Sequence, residues 1–183
     1  MKKTVLTFGL ISGLMISVLM DSSLLLANKI GPGHSMLIGY TIMVASFLLI
    51  YFGIRSYRDN TLCGKISFGR ALACGLLITL ITTLCYVATW EILYFKFMPH
   101  FMDGYFAAQI HKVQASGLDP AATAAHVAAI QRSQQLYQNP FVNMAYTFIE
   151  PLPVGLFITL ISAVVLRRKG AVGAADAAAV VNT

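Results

Sequence analysis

Four apolar blocks alternate with polar breaks along the chain. Residues 4–27, 36–54, 71–95 and 141–166 are each dominated by Leu, Ile, Val, Phe, Ala and Met, with charges thinly scattered. A helix rises about 1.5 Å per residue, so ~19 residues reach about 28 Å, enough for the hydrocarbon core of a bilayer. Each block is therefore expected to be a transmembrane helix. The expected fold class is all-α, a membrane bundle of four helices arranged as two hairpins. Within the blocks, small residues recur every fourth position: Gly9, Gly13 and Ser17, continued by Asp21; Ala71, Gly75, Thr79 and Thr83; and Gly155, Thr159 and Ala163. Such stripes let helix backbones approach closely in lipid, where packing replaces the hydrophobic drive.

The breaks differ in kind. Gly31-Pro32-Gly33, inside residues 28–35, predicts a tight external loop. The run Phe52-Gly53-Ile54-Arg55-Ser56-Tyr57-Arg58-Asp59-Asn60, continuing through Lys65 to Arg70, reads as a basic, turn-rich interruption, with Ser67 placed to cap the third helix. Glu150-Pro151-Leu152-Pro153 interrupts the fourth block, where two prolines remove backbone donors and predict a kink or a restarted helix. Residues 102–139 are polar and rich in Ala and Gln. Gly117 stops a first short helix, Asp119 caps a second one that begins at Pro120, and Asn139-Pro140 closes it. This segment is expected to be a helical hairpin outside the membrane, inserted between helices 3 and 4. Residues 1–169 then form one membrane domain, and the Ala/Gly/Val-rich residues 170–183 a disordered cytoplasmic tail.

Composition agrees: 57% of residues are hydrophobic, 11% are charged, and the mean hydropathy is +0.73. The net charge of +6 adds orientation rather than a nucleic-acid partner, because the basic residues cluster beside apolar blocks. Lys2, Lys3, Arg55, Arg58, Lys65, Arg70, Arg167, Arg168 and Lys169 fall on one side, and Lys29, Lys96, Lys112 and Arg132 on the other. The positive-inside rule places both termini in the cytoplasm and the helical hairpin outside. The first block is read as an uncleaved helix rather than a signal peptide, since no small residue stands two places before Ala27. Cys63, Cys74 and Cys85 form no CxxC or zinc spacing.

Two stretches are recognisable. Phe52-Gly53-Ile54-Arg55-Ser56-Tyr57-Arg58-Asp59, with Ile66-Ser67-Phe68-Gly69-Arg70-Ala71, resembles the small bacterial inner-membrane proteins grouped as the domain of unknown function 4199 family. Glu150-Pro151-Leu152-Pro153-Val154-Gly155 is similar to that family's last helix. The resemblance covers roughly residues 2–169, implies a four-helix membrane protein and supplies no activity.

Candidate chemistry is confined to a few side chains. An acid in a span is a functional hypothesis by default, because ionised groups are costly there. Asp21, Glu91 and Glu150 qualify, each counted to lie roughly 6–10 Å below the outer interface. Asn143, Tyr146 and Thr147 share a helix face with Glu150. Together these residues form a candidate intramembrane polar site for a cation, a proton or a polar solute. The alternative is that the acids snorkel or pair with Lys29 and Lys96. Arg55, Arg58, Lys65 and Arg70 set topology and can meet lipid headgroups. His100 and Asp103 share a spacing of three, but no metal site and no cofactor are expected. No GxSxG elbow or P-loop is present, so no enzyme is expected. The expected partners are the lipid bilayer and either a second copy or a membrane or periplasmic protein. The leading expectation is a non-enzymatic inner-membrane interaction or scaffold protein; the alternative is a small transporter or ion-coupled binding protein using Asp21 and Glu150.

Overall fold

A computed structural model describes the backbone of residues 1–30 and 32–167 and the side chains of residues 1–23 and 37–167. Gly31, the Lys29 side chain and the tail 170–183 lie outside the described residues, as do the expectations placed on them. The chain is all-α. Its helices are α1 (Lys2–Ile30), α2 (Pro32–Thr61), α3 (Phe68–Ile92), α4 (Phe101–Gln114), α5 (Pro120–Tyr137), α6 (Pro140–Ile149) and α7 (Leu152–Leu166), and a π-helical turn, Leu93–Phe97, continues α3. Among the described residues, four stretches are long and apolar enough to cross a membrane: Lys2–Ser23, Leu37–Thr61, Phe68–Phe97 and Pro140–Leu166.

Several boundaries differ from the pattern-based ones. α1 and α2 run on to Ile30 and from Pro32, so the loop expected over residues 28–35 is taken up largely by helix. Proline is tolerated in a first turn because its missing N–H would have no partner there. α2 does not stop at Ile54. It continues through Arg55, Arg58 and Asp59 to Thr61, which moves most of the basic run from a turn onto a helix. No proline interrupts it. Arg55 pairs with Asp59 at 3.6 Å, and Asn60 donates to the Ser56 hydroxyl at 3.1 Å, both one helical turn apart. The turn proper is short, with Cys63 at φ 51° and Gly64 at φ 80°. Ser67 then receives the Arg70 N–H at 3.5 Å as α3 begins.

The chain divides into two compact units, residues 1–86 with 151–183, and residues 87–150. In the first, Phe47, Ile50 and Ile54 of α2 are fully buried with Ile78 of α3 and Ala163 of α7. The small-residue stripes are where its helices meet. A Cβ added at Gly9 would fall 2.9 Å from Ile81, and one at Gly13 would fall 2.6 Å from Cys85 Sγ. A Cβ at Gly75 would fall 2.6 Å from Thr159, and one at Gly155 would run into Thr79. The last two contacts are reciprocal, because glycine on each helix receives a threonine from the other. Thr79 and Thr159 share a hydrogen bond at 3.1 Å, and the Thr79 hydroxyl also donates to the Gly75 carbonyl at 3.0 Å. Ser12 donates to the Ser46 carbonyl at 2.7 Å, tying α1 to α2.

This unit differs from a water-soluble bundle in its apolar surface and in the hydroxyls that share its interior. Its interior holds buried Ser12, Ser46, Thr79, Thr82, Thr83, Thr159 and Ser162, while Leu6, Leu10, Leu14 and Val18 form an exposed apolar stripe on α1. Leu76, Leu80 and Leu84 do the same on α3. Hydrocarbon solvates such surfaces and favours hydroxyls that face inward, where Ser12, Thr79 and Thr159 find partners. Arg58 closes one end of the unit by donating to the Leu166 carbonyl at 3.5 Å, a cation at a helix C-terminus.

The close contacts make a direct prediction. Gly75→Val should lower unfolding stability in detergent by about 1–3 kcal/mol, since the nearest obstacle, Thr159, is a short β-branched side chain held by its bond to Thr79. Gly39→Ala, where an added Cβ meets nothing within 4 Å, should be neutral or stabilising. Thermal or denaturant midpoints of the two variants in one detergent check this.

Candidate functional site

The unit of residues 87–150 is built on different chemistry. Asp119 starts α5 as the sequence implies: its Oδ1 accepts the N–H groups of Ala121 and Ala122 at 3.0 and 2.9 Å, and Pro120 takes the first helical position. Asn139 caps α6 in the same way, accepting from the Phe141 N–H at 3.0 Å with Pro140 following. It therefore opens a helix as well as closing the preceding segment. α4 packs on α5, and the Asp103–Gln134 hydrogen bond at 3.1 Å links the two.

At the centre of the unit a bifurcated bond from the chain's only tryptophan gathers three elements. Trp90 Nε1 donates to Tyr137 Oη and to Asn143 Oδ1, both at 3.1 Å. Asn143 Nδ2 donates to the Tyr137 carbonyl at 3.2 Å, and Thr147 donates to Asn143 Oδ1 at 3.2 Å. Asn143 is fully buried, and this amide on an apolar helix has specific partners at both its oxygen and its nitrogen. Tyr94 stacks on Trp90 with centroids 5.9 Å apart and meets Tyr137 edge-on at 5.5 Å. Burial pushes the Tyr137 phenol above its ordinary pKa, against the opposing hydrogen bonds from Trp90 and Thr147.

Beside this tie runs an open groove of two adjoining sections. One section, about 380 Å³, is lined by Tyr105, Phe106, Tyr137, Tyr146, Thr147 and Glu150, with Met102 and Ser133. The other, about 320 Å³, shares Tyr105, Phe106 and Ser133 and adds Gln109, His126, Ala129 and Ile130. The rings form a chain of contacts, with centroids 5.7 Å apart for Tyr105–Phe106, 6.2 Å for Phe106–Tyr137 and 6.3 Å for Tyr137–Tyr146.

The expected polar site is only partly assembled. Tyr146, Thr147 and Glu150 line one groove section, while Asn143 is turned into the buried tie. Glu150 is the residue after α6, its N–H bonded to the Tyr146 carbonyl at 3.1 Å, and Pro151 precedes α7. The expected break in the fourth span is therefore present. Glu91 sits half-buried on α3 with Oε1 lacking a hydrogen-bond partner among the described residues, and it does not line the groove. Asp21 belongs to the other unit, half-buried on α1. Of the basic residues, Arg55, Lys65 and Arg70 are exposed, and Arg58 is engaged with Asp59 and Leu166. His100 Nδ1 lies 2.9 Å from Asp103 Oδ2, and this contact, with the Gln134 amide, holds the Asp103 carboxyl below its ordinary range. Among the described residues no three His, Cys, Asp or Glu side chains gather as metal ligands would.

Trp90, Tyr105, Phe106 and Tyr137 were absent from the sequence-derived site. Trp90 reads from its position as a headgroup anchor and Tyr137 as part of a thin apolar stripe. The available signal was the Trp90–Tyr94 spacing of one turn, together with an indole N–H that needs a partner when buried.

Four apolar spans with inward-facing hydroxyls define the makeup of a multi-pass helical membrane protein. The chain belongs to the family described as "Protein of unknown function (DUF4199)", whose family model matches residues 7–168. Neither a curated protein nor a solved structure matches it.

Removing the amide at the centre of the tie should be costly. Asn143→Ala removes the acceptor that Trp90 and Thr147 share and leaves each with Tyr137 Oη alone, so stability should fall by about 1–3 kcal/mol. Emission from Trp90 should shift relative to the parent in the same detergent. An unchanged midpoint and spectrum would show that the tie contributes nothing.

Proposed function

We propose that the protein is a non-enzymatic component of the bacterial inner membrane whose helical insertion, α4 and α5, serves as an interaction element outside the bilayer. Both termini are cytoplasmic in this reading, and the insertion is periplasmic. The observation that carries it is the exposure of α5: none of its 18 residues is buried, although the helix is firmly started by Asp119 and Pro120. The helix meets its own unit along one edge, through Gln134 and Tyr137, and leaves Ala124, Ala128 and Gln131 exposed on another face available for a partner. α4 buries only Phe106.

Support for the orientation comes from charge. The α2–α3 turn region and both ends of the chain hold the larger share of Lys and Arg, whereas α4 and α5 hold only Lys112 and Arg132. The partner is a second copy or another membrane or periplasmic protein. The transporter reading draws on the discontinuity between α6 and α7, since broken spans often flank transport sites.

Photo-crosslinking groups placed at Ala124, Ala128 and Gln131, exposed on α5, should give discrete protein adducts of higher mass in native membranes. The same group at Leu14, on the exposed apolar stripe of α1, should give lipid adducts. Only lipid adducts or none from all three α5 positions would refute the interaction role.

A further inference from the structure

The Glu150 end of the aromatic groove has a composition that selects for charge. Its walls are the ring chain Tyr105, Phe106, Tyr137 and Tyr146, and Glu150 and Thr147 stand at the same section. Aromatic faces carry negative potential and attract cations, most strongly where water is partly excluded, and a carboxylate adds full charge. Neither section is lined by Lys or Arg among the described residues, so nothing favours an anion. His126 lines the neighbouring section rather than this one. At about 380 Å³ the section suits a small molecule rather than a polypeptide. Tyr105 and Tyr146 are 54% and 58% exposed, so more than half of each side chain stays accessible beside its ring contacts.

We infer that this section of the groove is a binding site for an organic ammonium ion, with the cation seated against Tyr105, Tyr137 and Tyr146 and its charge matched by Glu150. The ammonium group has two sources, a soluble amine or the headgroup of a lipid. The site stands independently of any partner on α5, because from that helix it uses Ser133 and Tyr137 rather than the face of Ala124, Ala128 and Gln131.

The full chain in detergent, titrated with choline, provides the test, because Trp90 is the only tryptophan and contacts Tyr137 directly. Choline should give a saturable change in Trp90 emission, matched by calorimetry, and its neutral isostere 3,3-dimethyl-1-butanol should give none. Glu150→Gln should weaken choline binding by roughly tenfold, and Tyr105→Leu by several-fold. Because Tyr105 is largely exposed, its variant keeps the test valid if Glu150→Gln disturbs the α6–α7 junction; gel-filtration elution of each variant reports intact folding. In nanodiscs, weaker apparent choline binding in phosphatidylcholine than in an uncharged glycolipid would assign the site to a lipid headgroup. Equal binding in the two lipids would assign it to a soluble amine. No saturable choline response, equal binding of the neutral isostere, or parental affinity in both folded variants would overturn the assignment.

Discussion

The structure depends on how closely helix backbones can approach when the surrounding solvent is as apolar as their side chains. Burying leucine against leucine gains little in lipid, so contact distance and satisfied polar groups must hold the spans together. The reciprocal pair on α3 and α7 shows how this is met. Gly75 makes room for Thr159, Gly155 makes room for Thr79, and the two hydroxyls close a hydrogen bond at 3.1 Å in the space created. Gly9 and Gly13 give α1 the same access to Ile81 and Cys85. Because each contact is made at backbone range, the large side chains are free to face outward, where Leu6, Leu10, Leu14 and Val18 are found.

The second unit solves a different problem. Residues 87–150 include a polar stretch that no lipid would hold in place, and few of its side chains are buried. Directed bonds fix it instead. Trp90 reaches both Tyr137 and Asn143, so α3, α5 and α6 are tied through one indole N–H. The tie positions the Tyr137 ring, which forms part of the groove wall, so the architecture of the unit and its candidate binding surface share a residue. The π-helical turn Leu93–Phe97 follows directly after this tie.

Much of this was legible because it rests on local signals. Asp119-Pro120, Pro151 and the four-residue spacing of Gly and Thr each carry a steric or hydrogen-bonding reason that does not need tertiary context. The extent of α2 was not legible in the same way. Charged residues after Ile54 look like a turn, yet the i,i+4 partners Arg55–Asp59 and Ser56–Asn60 sustain the helix to Thr61. The site was only half legible. Glu150, Tyr146 and Thr147 follow from one helix face, but Tyr105, Phe106, Trp90 and Tyr137 come from other helices, and only folding brings them to it.

The proposed topology, with the α2–α3 turn and the α4–α5 insertion on opposite sides of the membrane, is tested most directly by chemical accessibility. A chain carrying Cys74→Ala and Cys85→Ala keeps one thiol at exposed Cys63, and adding Cys63→Ala with Ser116→Cys moves that thiol to the loop after α4. A membrane-impermeant maleimide should label the Ser116→Cys protein in spheroplasts and the Cys63 protein only in inverted vesicles. Labelling of both positions from the same side of the membrane would contradict the account.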